Sequence, residues 1–422
     1  MALNRGRIMK RISNSKNFLI GGGFIVTLAG LALAQVALEK GGVVQAQEMR
    51  APKYEVDPLW PKPLPNHWVL GNVIGVSVDA DDHIWIIHRG SPSLSIHENQ
   101  LEKNAGDCCA AAPPVLEFDQ AGNLLRHWGG PAAGYDWPTS NHGIFVDYKG
   151  NVWIGGNGGP DSQILKFTKD GKFLLQVGKP GVRRKAGAAA GSGEGLVARF
   201  QGNSNDPDNF GRVAKIIVDP QENEAYLADG YLNKRVAVLD ADTGKMKRYW
   251  GAYGNKPDDT PLPAYDQSQP HAQQFRTPVH CADMSVDRLV YVCDRVNDRL
   301  QVFTPDGKFV KEAYYHVNTK TDGSVWDVAF SKDPQQKYMF IADGVNDKVR
   351  IIDRQSLKEL TNFGDGGRQP GQFHAIHSIA TDHEGNIYTT ETYEGKRLQR
   401  FILKGLAPVT KMDQGVPWPS SK

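Results

Sequence analysis

Excess charge of either sign is nearly absent from this chain: 49 Lys and Arg face 47 Asp and Glu, a formal net charge of +2 over 422 residues. That balance excludes a basic field for nucleic acid or anionic lipid as the main mode of recognition. Cysteine is scarce as well, with 4 residues and no Cys-x-x-Cys-His run, so covalent haem attachment is excluded. The Gly-rich stretch Gly187 to Gly195 lacks a Gly-Lys-Ser/Thr ending and joins no strand to a helix, so it is not a phosphate loop. Long apolar runs are confined to one place, Phe18 to Ala37.

That run follows Arg5, Arg7, Lys10, Arg11 and Lys16, and positive charge before an apolar stretch is an export signal. Ala32-Leu33-Ala34 and Gln45-Ala46-Gln47 offer small-residue cleavage sites. The alternative is an uncleaved anchor, because the run approaches the roughly 20 residues that span a bilayer. Either reading places the rest of the chain in the periplasm or outside the cell, where disulfides persist. No Cys follows the run closely, which argues against a lipid-anchored form.

Gly 45 and Pro 25 suit many short strands joined by turns. A repeat confirms that expectation. Its unit is an apolar strand ending in Asp or Ser, a turn, a second apolar strand, a loop, and further strands often joined by Asp-Gly-Lys. Copies begin near Gly75, His142, Ala214, His280, Trp326 and His377. Four short strands in each of six repeats predict an all-β, six-bladed β-propeller, in which each blade covers its neighbour's apolar flank. The pattern matches the NHL-type repeat. We divide the chain into a signal peptide or membrane anchor (1–34), a linker (35–69) in which Tyr54 to Trp60 is a candidate ring-closing strand, the propeller (70–412) and a tail (413–422). Inserts at 91–114 and 179–210 interrupt the ring, and insertions this long are usually functional lids or disordered loops.

The residue five places before each strand-ending Asp or Ser is Ile74, His142, Ala214, His280, Trp326 and His377 in turn. This position opens the innermost strand, which lines the channel. Histidine holds it in blades two, four and six, about 120° apart around the axis of a six-fold ring. Three imidazoles should therefore converge on one point. A catalytic zinc commonly takes three protein ligands and keeps a position open. Another divalent transition metal suits an imidazole triad too. Three unrelated histidines are the bland alternative, which shared phase and strict alternation disfavour.

A second register lies in the loop after the second strand, on the same face. It carries Arg89, Tyr231, Arg295 and Tyr393. Cations, a phenol and a metal on one face make a pocket for an anionic substrate, because Arg binds a carboxylate through parallel hydrogen bonds and a phenol can act as a base. The bland alternatives are that Arg295 braces its neighbour Asp294 and that Tyr393 serves packing. His374 reads as a solvated loop residue or a support for His377. Cys281 and Cys293 fall opposite each other across a predicted hairpin, either as a disulfide or as two buried thiols. Adjacent Cys108 and Cys109 lie in an insert.

WIIHRG at Trp85–Gly90, NHGIFVD at Asn141–Asp147, YLADGYLNKRV at Tyr226–Val236, PVHCADM at Pro278–Met284, CDRVNDRLQVF at Cys293–Phe303 and AIHSIATDHEGNIY at Ala375–Tyr388 resemble motifs of one family, the peptidyl-α-hydroxyglycine α-amidating lyases. The resemblance covers about residues 70 to 403. It implies zinc on His142, His280 and His377, a catalytic Tyr231, and substrate-orienting Arg89 and Arg295. The implied reaction cleaves the carbinolamide C–N bond of an α-hydroxyglycine peptide to give a peptide amide and glyoxylate. The partner is then a peptide or small-molecule substrate bearing a carboxylate. The family's Met and Asp beside the third zinc histidine are replaced by Ala375 and Ser378, and since that Asp helps hold a structural calcium, calcium is not expected here. The family's disulfide positions do not match, and the 422 residues do not contain the copper monooxygenase that makes the hydroxyglycine substrate. A different class of function is also open: a non-catalytic NHL propeller that binds a protein or carbohydrate, with the metal as a structural pin. A propeller lactonase is disfavoured, because those enzymes hold calcium mainly through carboxylate and Asn ligands.

Overall fold

In the sequence, apolar strands run up to an Asp, and the computed structural model shows what the Asp does. It describes residues 49–186 and 199–419, so the export or anchoring segment lies outside the described residues. Asp147 closes the first hairpin of blade two by accepting the backbone N–H groups of Lys149 and Asn151. The indole of Trp153 donates to the same carboxylate at 2.8 Å. Asp79 does the same work with Asp81, His83 and Trp85 in blade one. In blade four Ser285 takes the position, its hydroxyl serving Asp287 and Leu289. Short polar side chains that satisfy turn backbone are the reason such residues end strands.

Six four-stranded sheets result. Their innermost strands are Val73–Val78, Asn141–Val146, Val213–Asp219, Val279–Met284, Asp327–Phe330 and Ile376–Thr381. In blade one the first three strands are almost wholly buried, whereas the outermost, Leu124–Trp128, alternates. Six apolar clusters sit between the sheets. One joins blades one and two around Trp85 and Ile154, and another joins blades six and one through Tyr388 and Ile86. Every blade therefore has both flanks covered, and the ring is a closed six-bladed propeller.

The sixth blade is completed from the opposite end of the chain. Arg50–Asp57 lies beside Leu398–Pro408 as its outermost strand. The chain's last described stretch also packs: Val56 N–H donates to Pro417 O at 2.7 Å, and Asn362 N–H to Met412 O at 2.8 Å. Two-residue strands Trp68–Val69 and Ala110–Ala111 pair in parallel and tie the first insert to the body. A third excursion, residues 251–278 between blades three and four, is as long as the two read from the sequence. Cys281 and Cys293 face each other in the ladder of blade four and form a disulfide, with Cα atoms 4.8 Å apart. Cys108 and Cys109 are also bonded. Among the described residues, no helix is long and apolar enough to cross a membrane.

Candidate metal centre

The innermost strands carry a device that sequence phase did not reveal. Their ladders slip by one residue at Ile74, Gly143, Ala214, His280 and His377. A β-bulge leaves one residue unpaired and re-aims side chains. Placed at the mouth of the channel, these bulges turn the imidazoles toward the axis. In blade two the unpaired residue is Gly143, whose φ of +47° suits glycine, and a Cβ there would stand 2.5 Å from Ala214 O.

His142, His280 and His377 meet. Their ring centroids are 5.2, 4.8 and 4.9 Å apart, close to an equilateral triangle. Their nearest ligand atoms all lie within 4.8 Å of one another. Two of the rings are anchored identically. His142 Nδ1–H donates to Ala214 O at 2.7 Å, and His280 Nδ1–H to Trp326 O at 2.6 Å. Each acceptor is the residue of the same repeat phase in the following blade. This bond fixes the tautomer and leaves Nε2 as an acceptor facing the axis, the usual support of a metal-bound imidazole. His377 Nδ1 is buried without a hydrogen-bond partner.

Tyr231 reaches the same point. Its hydroxyl lies 2.9 Å from His142 Nε2 and 3.0 Å from His280 Nε2. The loop that carries it is pressed against blade four at Gly230, where a Cβ would stand 2.0 Å from Val279 O. Burial pushes the His142 imidazolium down to about 3, helped by the Arg89 and Arg295 charges. Burial likewise holds His280 and His377 well below the ordinary histidine range. All three rings are thus neutral at neutral pH. Two acceptor Nε2 atoms then share one hydroxyl hydrogen, which can satisfy only one of them. A donor set short of a proton, neutral and made wholly of imidazole, fits a divalent transition metal.

Two guanidinium groups lie near enough for their charges to act on the His142 and His377 rings. Arg295 is 6 % exposed and lies 4.5 Å from the Trp326 ring centre and 5.9 Å from that of Tyr231. It does not brace Asp294. That carboxylate is taken by the fully buried Arg299 at 2.6 Å and by Asn297, and Arg295 pairs instead with Asp322 at 3.0 Å. Arg235 holds Asp229 in the same way in blade three, so buried pairs fix the loops that present Tyr231 and Arg295. Arg89 donates to Asn157 Oδ1 at 3.1 Å and to the Asn141 carbonyl beside His142 at 3.4 Å. Tyr393, read as packing, is 48 % exposed and donates to Asp322 at 3.2 Å. His374 is half-buried, and its backbone N–H donates to Glu391.

Below the triad the channel holds a second polar cluster that sequence reasoning missed. Lys215 Nζ lies 2.5 Å from Asp327 Oδ1 and 2.9 Å from Asp283 Oδ2. Ser378 Oγ donates to the other Asp327 oxygen at 2.6 Å. Beside Ser378, an ammonium group therefore fills the acidic niche.

No family model matches the chain. It is 25 % identical over 336 residues to peptidyl-glycine alpha-amidating monooxygenase B of Xenopus laevis, a match covering 77 % of this chain and 33 % of that protein. It is 25 % identical over 324 residues to NHL repeat-containing protein 3 of Mus musculus, covering 74 % and 70 %. The chain is similar to NHL-repeat proteins. It spans a third of the length of the amidating monooxygenase it matches. Among solved structures, a streptogramin B lyase has a TM-score of 0.47 at 11 % identity, covering 84 % of this chain and 98 % of the lyase.

Proposed function

We propose that this protein is an exported, metal-dependent lyase that cleaves the C–N bond of an α-hydroxyglycine peptide or related carbinolamide to an amide and glyoxylate. The observation that carries this reading is the meeting of three neutral imidazoles from alternate blades with a phenol, beside two guanidinium groups. His142, His280 and His377 would hold zinc or another divalent transition metal, which when bound supplies Lewis-acid polarisation of the substrate hydroxyl. Arg295 and Arg89 orient the substrate carboxylate and balance negative charge that develops in the transition state. The Tyr231 hydroxyl relays one proton: its oxygen accepts the hydrogen of the carbinol hydroxyl as its own hydrogen passes to the amide nitrogen, and the C–N bond breaks. The former carbinol carbon leaves as the aldehyde of glyoxylate, so no oxidant is required. Similarity to an amidating monooxygenase supports the choice of reaction. Ser378 and the Lys215 ammonium support a single metal rather than an added calcium.

Export rests on the basic residues before the apolar run and agrees with the bonded cysteine pairs, which persist outside the cytoplasm. Similarity over most of an NHL repeat-containing protein supports one other reading, a binding propeller with a structural metal. One experiment separates them. Metal-replete protein incubated with an N-acyl α-hydroxyglycine should release glyoxylate, Tyr231→Phe should lose that turnover while keeping its metal, and His142→Ala should lose metal. Metal-bound protein that releases no glyoxylate would leave only the binding propeller.

A further inference from the structure

The loop between blades four and five carries a carboxylate to the mouth of the channel. Asp322 Oδ1 accepts from Arg295 Nη2 at 3.0 Å, and its Oδ2 accepts from the Tyr393 hydroxyl at 3.2 Å. Arg295 follows the second strand of blade four, Tyr393 the second strand of blade six, and Asp322 precedes blade five, so only the closed ring brings them together. The two ends of the ion pair are unequally held. Arg295 is buried against Trp326, and its Nε has no hydrogen-bond partner. The Asp322 side chain is 42 % exposed. The guanidinium is thus a fixed, under-used donor, and the carboxylate is the group free to leave.

We propose that Asp322 is a stand-in for the ligand: its carboxylate occupies Arg295 while the site is empty, and the substrate's own carboxylate displaces it. This rests on the reading of the site as one for an anionic substrate, and adds a residue that sets its selectivity. A negative charge already seated on the guanidinium weakens the attraction for every incoming group. Only a ligand that restores both the charge and the hydrogen bond recovers what the displacement costs, so neutral and weakly polar molecules are rejected. Tyr393 acts as the clasp: its exposed ring has little burial to hold it, and its hydroxyl steadies Asp322 on the guanidinium.

The test uses the full metal-loaded chain and glyoxylate as probe, with binding read by calorimetry. Asp322→Asn should bind glyoxylate about three- to fivefold tighter than the parent, the range of a part-exposed ion pair. Tyr393→Phe should tighten binding in the same direction by a smaller factor, and it serves if Asp322→Asn does not fold. In turnover, Asp322→Asn should lower KM with kcat unchanged. Unchanged or weaker glyoxylate binding in both variants would overturn the proposal and make Asp322 a support for Arg295. Failure of parent and both variants alike to bind glyoxylate would instead overturn the anion-site reading beneath it.

Discussion

Lys215→Met is the most demanding test of how the channel is built. The ammonium group is buried between Asp283 of blade four and Asp327 of blade five, and Asp327 is also held by Ser378 and the Ile379 N–H of blade six. Four blades are therefore joined through one cation directly beneath the imidazole triad. Methionine keeps the length of the side chain and removes its charge, leaving two carboxylates without a counter-ion. Breaking a buried pair in this way costs about 3–5 kcal/mol. The loss falls toward the lower figure because burial already pushes Asp283 up to about 7, so that carboxyl can take a proton in place of the ammonium. The assay is urea unfolding at pH 7.5 with chelator present, against Lys308→Met as an exposed control. A second substitution, Asp283→Asn, should recover part of the loss by removing one stranded charge. A loss under about 1 kcal/mol would refute the claim that this cation pins the ring, since exposed ion pairs contribute no more than that.

Acid should destabilise the metal-free protein. A folded pKa below the unfolded one favours the neutral form in the fold, so stability is present above the unfolded value near 6.5 and is lost as pH falls toward the folded one. With His142 held at about 3, falling from pH 7.5 to pH 5 should cost about 2 kcal/mol through this residue alone. Urea unfolding of chelator-treated protein at the two pH values should show that loss, and His142→Gln should show a pH dependence shallower by the same amount. Equal slopes in the two proteins would contradict the burial of a neutral ring. Opening the Cys281–Cys293 bond by a double change to Ser should lower stability by about 2–3 kcal/mol, the figure for a cross-link closing so short a loop. An unchanged unfolding midpoint would show that the hairpin is held by its ladder alone.

The ring and its triad were legible because a propeller converts sequence phase directly into angle. A residue at one phase in alternate blades must point to the axis from directions 120° apart, whatever the loops do. What escaped notice had no phase, or had one that was read in the wrong column. Asp322 sits in a connecting loop that no other blade repeats, and nothing in the sequence marks it. Lys215 and Asp327, by contrast, lie one residue after the aligned position, in a column that reads Gly75, Gly143, Lys215, Cys281, Asp327 and Ser378. A lone Lys and a lone Asp in a channel-lining column imply each other, because neither charge could be buried unpaired. The alternative in which Arg295 braces Asp294 fails for the opposite reason, that adjacency in sequence is not contact. Asp294 ends a strand, Arg295 opens a turn, and the Asp turns inward to the buried Arg299 while the Arg turns toward the channel mouth. The buried pairs Asp229 with Arg235 and Asp294 with Arg299 show why the neighbouring residues can turn to the site at all. Each loop keeps one arginine to satisfy its own carboxylate, and only because that partner is local does the neighbouring position, Tyr231 or Arg295, remain available to the axis.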